Sequence, residues 1–186
     1  MITIIESKTF LESTTQAIVN FVDCSGNAIN FDGEKIFEQN QDMFEKYLGF
    51  CKEGKFKPGM VWYYKGKDKE ILNFAVSESK DLSGVTLKDF KNGLLKLKQI
   101  IENKNIKSIA ITNIVQLDAV IDFGVIYDEI FYDCNFDVEV YNYKMICDIS
   151  PKELVQNKTQ DKEKVNKKDN SLATHMTYPK NTVFHI

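Results

Sequence analysis

Six short runs, ITII, AIVNFV, MVWYY, ILNFAV, SIAIT and VEVYNY, are rich in β-branched or aromatic residues and bounded by polar residues or glycine. That is the composition of strands. Between several of them the apolar spacing changes to a helical period. From Gly33 to Leu48, Ile36, Phe37, Phe44, Tyr47 and Leu48 fall on one side of a helix. Leu87, Phe90, Leu94, Leu97 and Ile101 recur at three- and four-residue steps; Thr86 is placed to cap the start, with Asp89 three positions on as a variant capping box. A third helix is expected from about Asp122 to Asp133, and YYKGKDKEIL reads as a lysine-studded turn between the third and fourth strands. Strands alternating with helices predict an α/β domain, a mixed six-stranded sheet flanked by helices.

The pattern stops near Ser150. From Pro151 the chain reads PKELVQNKTQDKEKVNKKDNS, and residues 151–170 hold six lysines against four acids, the composition of a solvated linker. The last stretch regains Leu172, Met176, Tyr178, Val183, Phe184 and Ile186. The expected organisation is an α/β domain over residues 1–149 and a charged linker with an apolar-ended C-terminal tail over 150–186. Docking of that tail on the body, on a second copy or on a protein partner stays open.

All 24 basic residues are lysine, with no arginine in the chain. This excludes an arginine finger and any planar fork gripping a phosphate or carboxylate. A net charge of −3 argues against a dedicated nucleic-acid binder. The two histidines, His175 and His185, lie in the tail, which removes Ser/His/Asp and Cys/His catalysis from the body. Cys24, Cys51, Cys134 and Cys147 show no C-x-x-C spacing and follow no leader-like segment, so reduced thiols in a cytoplasmic chain are expected. No apolar run reaches membrane-spanning length, about 18 residues.

Read as whole phrases, the body resembles the macrodomain family, within it the branch of DNA ADP-ribosyl-glycohydrolase antitoxins. TTQAIVNFVDCSG is similar to the family's Q-A-x-V-N-x-V-N-x-x-G signature, and QDMFEKYLGFCKEGKFKPGMVWYY to its P-x-M-x-x-x-Y-x-x-x-C-x-x-G segment; ILNFAV and IKSIAI resemble inner strands. The resemblance covers about Met1 to Tyr143. It implies ADP-ribose held in a cleft at the strand ends, with Thr9, Asn20, Asp23, Gly26 and Asn113 as ligand-binding candidates and Asn20, Asp23 and Lys80 as catalytic candidates. No cofactor or metal is implied.

The departures fall on that cleft. After Gly26 the family continues with a glycine-rich run whose N–H groups approach the diphosphate; here the positions read AINFDG, with Ile29 and Phe31 where glycines are expected and Asp32 adding negative charge. The second glycine-rich loop aligns with NIVQLDAVI, Asn113 to Ile121, and keeps no glycine. Asp23 stands in place of the signature's second asparagine, and the family's catalytic lysine aligns with Ser77, three positions before Lys80.

Asp23, Asp32, Asp118 and Asp122 are candidates to converge as a Mg²⁺ site or general base, although loop aspartates more often cap turns and helices. Asn20 and Asn73 can present amides to a ligand, or tie sheet to loop. Cys24, without a histidine to activate it, reads as a small buried thiol. In the run Trp62, Tyr63, Tyr64, alternation sends Trp62 to the face opposite its two neighbours, a core position. The function expected is a degenerate macrodomain, a non-catalytic binding or interaction protein without ordinary ADP-ribose binding. A divergent ADP-ribosyl hydrolase, or a macrodomain binding an atypical nucleotide signal in phage or bacterial defence, are the alternatives.

Overall fold

The computed structural model describes residues 1–6 and 9–142; the expectations for the linker and tail lie outside the described residues. Strands β1 (Ile2–Glu6), β2 (Ala17–Asp23), β3 (Val61–Lys65), β4 (Glu70–Ser77), β5 (Ser108–Thr112) and β6 (Asp137–Asn142) coincide with the six runs read from the sequence. They form one sheet in the order β1-β6-β5-β2-β4-β3. Only β3 runs antiparallel to its neighbour. Helices α1 (Phe31–Gln39) and α2 (Gln41–Lys52) cover one face, and α3 (Leu87–Asn103) and α4 (Phe123–Phe131) the other. This is the mixed α/β architecture expected.

Strand β2 is buried along its whole length because both of its faces are covered. Ala17, Val19 and Phe21 enter the core shared with α3 and α4, whereas Ile18 and Val22 enter the core shared with α1 and α2. Phe21, Phe74 and Phe90 pack with ring centroids 5.4–5.9 Å apart, and Phe123 meets Phe90 edge-on at 5.6 Å. These contacts seat α3 and α4 against the sheet.

The α3 boundaries follow from its end residues. Thr86 Oγ1 accepts from the Asp89 N–H at 3.1 Å and donates to the Asp89 carboxylate at 2.7 Å, so Thr86 caps the helix as expected and Asp89 braces the cap through its hydroxyl. At the other end Asn105 adopts φ +55°, its N–H donating to Glu102 O while that of Ile106 donates to Ile101 O. This is a Schellman closure, and buried Ile106 supplies its apolar contact. Between the ends, Gly93 lies so close to the sheet that a Cβ there would sit 2.2 Å from the Phe74 ring.

Two expectations are corrected. The single helix read from Gly33 to Leu48 is two, because Asn40 has φ −130° and ψ 64°. Its backbone N–H donates to Ile36 O and Phe37 O, and its side-chain amide donates again to Ile36 O at 2.9 Å. The amide closes α1 before α2 starts, a competition between side chain and backbone that apolar spacing does not record. In β3, Trp62 shares its face with Tyr64, the rings meeting edge-on at 5.8 Å, and is opposite Val61 and Tyr63. A period of two places residues 62 and 64 together, so Trp62 is separated from one tyrosine of the run and not from both.

Leu94 is fully buried under α3. Leu94→Ala is expected to lower stability by about 2–5 kcal/mol, read from urea unfolding. Gly93→Ala, although it favours the isolated helix, is expected to destabilise by about 1–3 kcal/mol through overpacking on Phe74. A neutral or stabilising result there would remove the close helix–sheet approach as a constraint.

Candidate functional site

Parallel β2, β4, β5 and β6 all end at one edge of the sheet, so Asp23, Ser77 and Thr112 mark the edge at which an α/β ligand cleft forms. There β2 and β5 separate, their pairing confined to Ala17 with Ile109 and Ile18 with Ala110. The chain after β2 turns back along the side that β5 leaves open: Asp23 N–H donates to Asn27 O and Ile29 N–H to Phe21 O, both at 3.0 Å. Gly26, at φ +111°, makes the reversal, and a Cβ on it would come within 2.8 Å of Leu48.

Asp23 is fully buried. Its Oδ1 accepts from the backbone N–H groups of Ser25, Gly26 and Asn27 at 2.8–2.9 Å, and its Oδ2 from Ser25 Oγ at 2.9 Å and Asn27 Nδ2 at 2.7 Å. Tyr47 Oη, arriving from α2, lies 2.7 Å from Asp23 O and 3.2 Å from Oδ1. Burial pushes this carboxyl's pKa upward, and the hydrogen bonds from Asn27 and Ser25 outweigh it, holding the group below the usual carboxylate range. Ser25, Asn27 and Tyr47 were not read from the sequence as site residues. The short polar run after Asp23 carries the composition of an Asx turn, which is the one signal for the first two.

The other candidates lie apart in role. Asn20, inside β2, donates its amide to Asn73 Oδ1 at 2.9 Å, and Asn73 Nδ2 points at Met43 Sδ at 3.3 Å. The pair ties strand to strand instead of sheet to loop, since the register sets Asn20 directly against Asn73. Among the described residues Asn20 Oδ1 has no hydrogen-bond partner; it lies under α1, where a Cβ on Gly33 would approach it to 2.5 Å. Lys80 is half-exposed and pairs with Glu34 of α1 at 3.1 Å. Thr9 Oγ1 accepts from Leu11 N–H at 3.1 Å, and half-buried Asn113 follows β5 with its N–H toward Tyr141 O at 3.4 Å.

The four aspartates do not gather. Asp32 accepts from Phe10 N–H at 3.0 Å, Asp122 caps α4 through Val125 N–H at 3.0 Å, and Asp23 holds its own loop. Burial raises the Asp118 pKa. Among the described residues no three His, Cys, Asp or Glu side chains are grouped to hold a metal ion. Cys24 is half-buried, its thiol pushed up to about 12 by burial, with the carboxylates of Glu78 and Asp23 adding to the effect. The second loop is packed as core: Ile114, Leu117 and Ile121 are buried with Ile29 of the first loop and Leu82.

A six-stranded mixed sheet in this order, between two helical layers and with its loops gathered at one strand edge, defines the macrodomain fold, and solved structures agree. The macrodomain of Mycobacterium tuberculosis DarG superposes with a TM-score of 0.66 at 24% identity over 76% of this chain and 97% of its own. For the macrodomain of Thermus aquaticus DarG the values are 0.65, 19%, 76% and 97%. Thermosipho africanus DarTG in complex with ADP-ribose matches at 0.58 and 16% identity, covering 77% of this chain and 43% of that one. No protein-family model matches the sequence, and no curated protein does. Among the described residues no helix is long and apolar enough to cross a membrane.

Asp23→Ala strands three backbone donors and is expected to cost about 1–3 kcal/mol. Because the folded pKa of Asp23 lies below its unfolded value, about 3.9, its contribution is complete above that pH and is lost as pH falls through the lowered value. Urea midpoints measured from pH 6 down to pH 3 should therefore fall less steeply in Asp23→Ala than in the parent. Parallel slopes would assign the acid sensitivity elsewhere. Iodoacetamide at pH 8 should leave Cys24 unmodified in the folded protein, followed by peptide mass mapping; rapid alkylation would contradict the raised thiol.

Proposed function

We propose that this chain is a degenerate macrodomain, a non-catalytic binding or interaction protein whose loop edge does not take ADP-ribose in the ordinary manner. One observation carries the reading: in the run Ala28 to Gly33, where the family resemblance implies amides facing a diphosphate, Ile29 N–H donates to Phe21 O and Gly33 N–H to Asn30 Oδ1. A phosphate cradle needs such amides turned toward the ligand. Here those two amides are taken within the chain, and the three N–H groups just before the run, of Ser25, Gly26 and Asn27, are held by the negatively charged carboxylate of Asp23, which repels a neighbouring diphosphate. The aliphatic packing of Ile29, Leu117 and Ile121 supports the same conclusion, since these side chains occupy loops that the family resemblance implies are glycine-rich. With no arginine in the chain, no guanidinium replaces the lost donors.

The likeness to a DarTG structure holding ADP-ribose makes that nucleotide the first ligand to test. Calorimetry of the full chain with ADP-ribose is expected to give no saturable heat at a Kd tighter than about 100 μM. A low-micromolar Kd, about −8 kcal/mol, overturns the reading. In parallel, an ADP-ribosylated DNA strand should survive incubation unchanged. Turnover that disappears in Lys80→Ala would favour the hydrolase alternative instead.

A further inference from the structure

At the opposite edge of the sheet, where β2 and β4 begin, Leu11 ahead of β2, the end of α1 and the β3–β4 hairpin line a cavity of about 410 Å³. That volume lies within the range of small-molecule sites. Ile18 and Ile71, register partners on β2 and β4, and Ile36 of α1, all three buried, line its base; Leu11 closes one side, and Gln39 and Asn40 line it at the end of α1. The hairpin supplies charge, Lys67 and Lys69 against Asp68, a local excess of one positive charge. The hairpin is seated firmly, because a Cβ on Gly66 would lie 2.4 Å from Lys69 O and 3.3 Å from Asn40 Oδ1, so only glycine lets the turn close against the end of α1.

Lys69 is the unusual group. Its half-buried ammonium donates one hydrogen bond, to Thr15 O at 2.6 Å. An ammonium carries three donors. Among the described residues Lys69 forms no ion pair, and Glu139 acts on it only through space. Burial lowers its pKa, with Glu139 opposing that shift. A partly desolvated cation lining a cavity that buried isoleucines also line is matched by an anion attached to an apolar body.

We propose that this cavity binds a small amphiphilic monoanion, its apolar body on Ile18, Ile36 and Ile71 and its single anionic group on Lys69, with Lys67 at the mouth. The site is separate from the loop edge and does not depend on what that edge binds. One excess positive charge and no converging amides suit a monoanion and not a diphosphate.

The test uses the full chain with ¹³C-labelled isoleucine methyl groups, titrated with hexanoate, phenyl phosphate and neutral hexanamide. The three floor isoleucines should shift saturably with hexanoate or phenyl phosphate, the stronger of the two identifying the anion as carboxylate or phosphate. Binding should weaken by about tenfold or more with hexanamide, and by a similar factor for hexanoate in Lys69→Met, which keeps the length of the side chain. Leu11→Trp, which fills the cavity and leaves the charges in place, should abolish the shifts. No saturable shift with either anion, equal affinity for hexanamide, or unchanged binding in Leu11→Trp would each overturn the proposal, and the last of these does so whether or not Lys69→Met folds.

Discussion

The buried carboxylate of Asp23 sits at the end of a central strand, and among the described residues no cation lies in its hydrogen-bond shell; its charge is met by backbone amides, the Ser25 and Tyr47 hydroxyls and a side-chain amide. Such donors stabilise a buried anion without the geometric demands of an ion pair. Three consequences follow from that one group. The chain reverses at Gly26 and returns along β2, the reversed segment delivers Ile29 into the core, and α2 is anchored to the strand end through Tyr47. A loop of this length needs internal satisfaction of its polar groups if it is to stay closed, and Asp23 provides most of it.

How far the fold could be read in advance depended on whether local chemistry or distant packing decides each element. All six strands were legible because β-branched and aromatic runs bounded by polar residues have few other uses, and α3 was legible because its stripe and its Thr86 cap agree. The break at Asn40 was not, since the apolar spacing continues across it and only the amide's bond to Ile36 O ends α1. The site divided in the same way. The residues at positions 29 and 31 and from Asn113 to Ile121, none of them glycine, were visible as residue identity, whereas the hydrogen bonds of the Ser25, Gly26 and Asn27 amides to Asp23 required the path of the chain. Asn20 was visible as a polar residue in an apolar strand, but its partner across the sheet depended on register with Asn73. Tyr47 had no sequence signal beyond its place on an apolar helical stripe.

The two edges of the sheet have taken opposite courses. At the strand ends, aliphatic side chains and a self-satisfied carboxylate fill the space between loops. At the strand starts, the β3–β4 hairpin closes against the end of α1 beside a cavity and leaves an ammonium partly desolvated. Fold likeness at 24% identity or lower speaks to the scaffold that both edges share, and the chemistry at each is written by the local residues.

The elbow at Asn40 has a mechanical meaning for that scaffold. In a continuous helix each residue adds about 100° of rotation, so the azimuth of position 33 would dictate that of position 47. Gly33 must face Asn20 and Tyr47 must face Asp23, two independent angular requirements on one layer. A non-helical residue between them acts as a universal joint, letting α1 and α2 rotate to their own targets. Insertions or deletions within α1 can therefore be absorbed at the joint, while the same changes between Asn40 and Tyr47 would swing the phenol off the strand end.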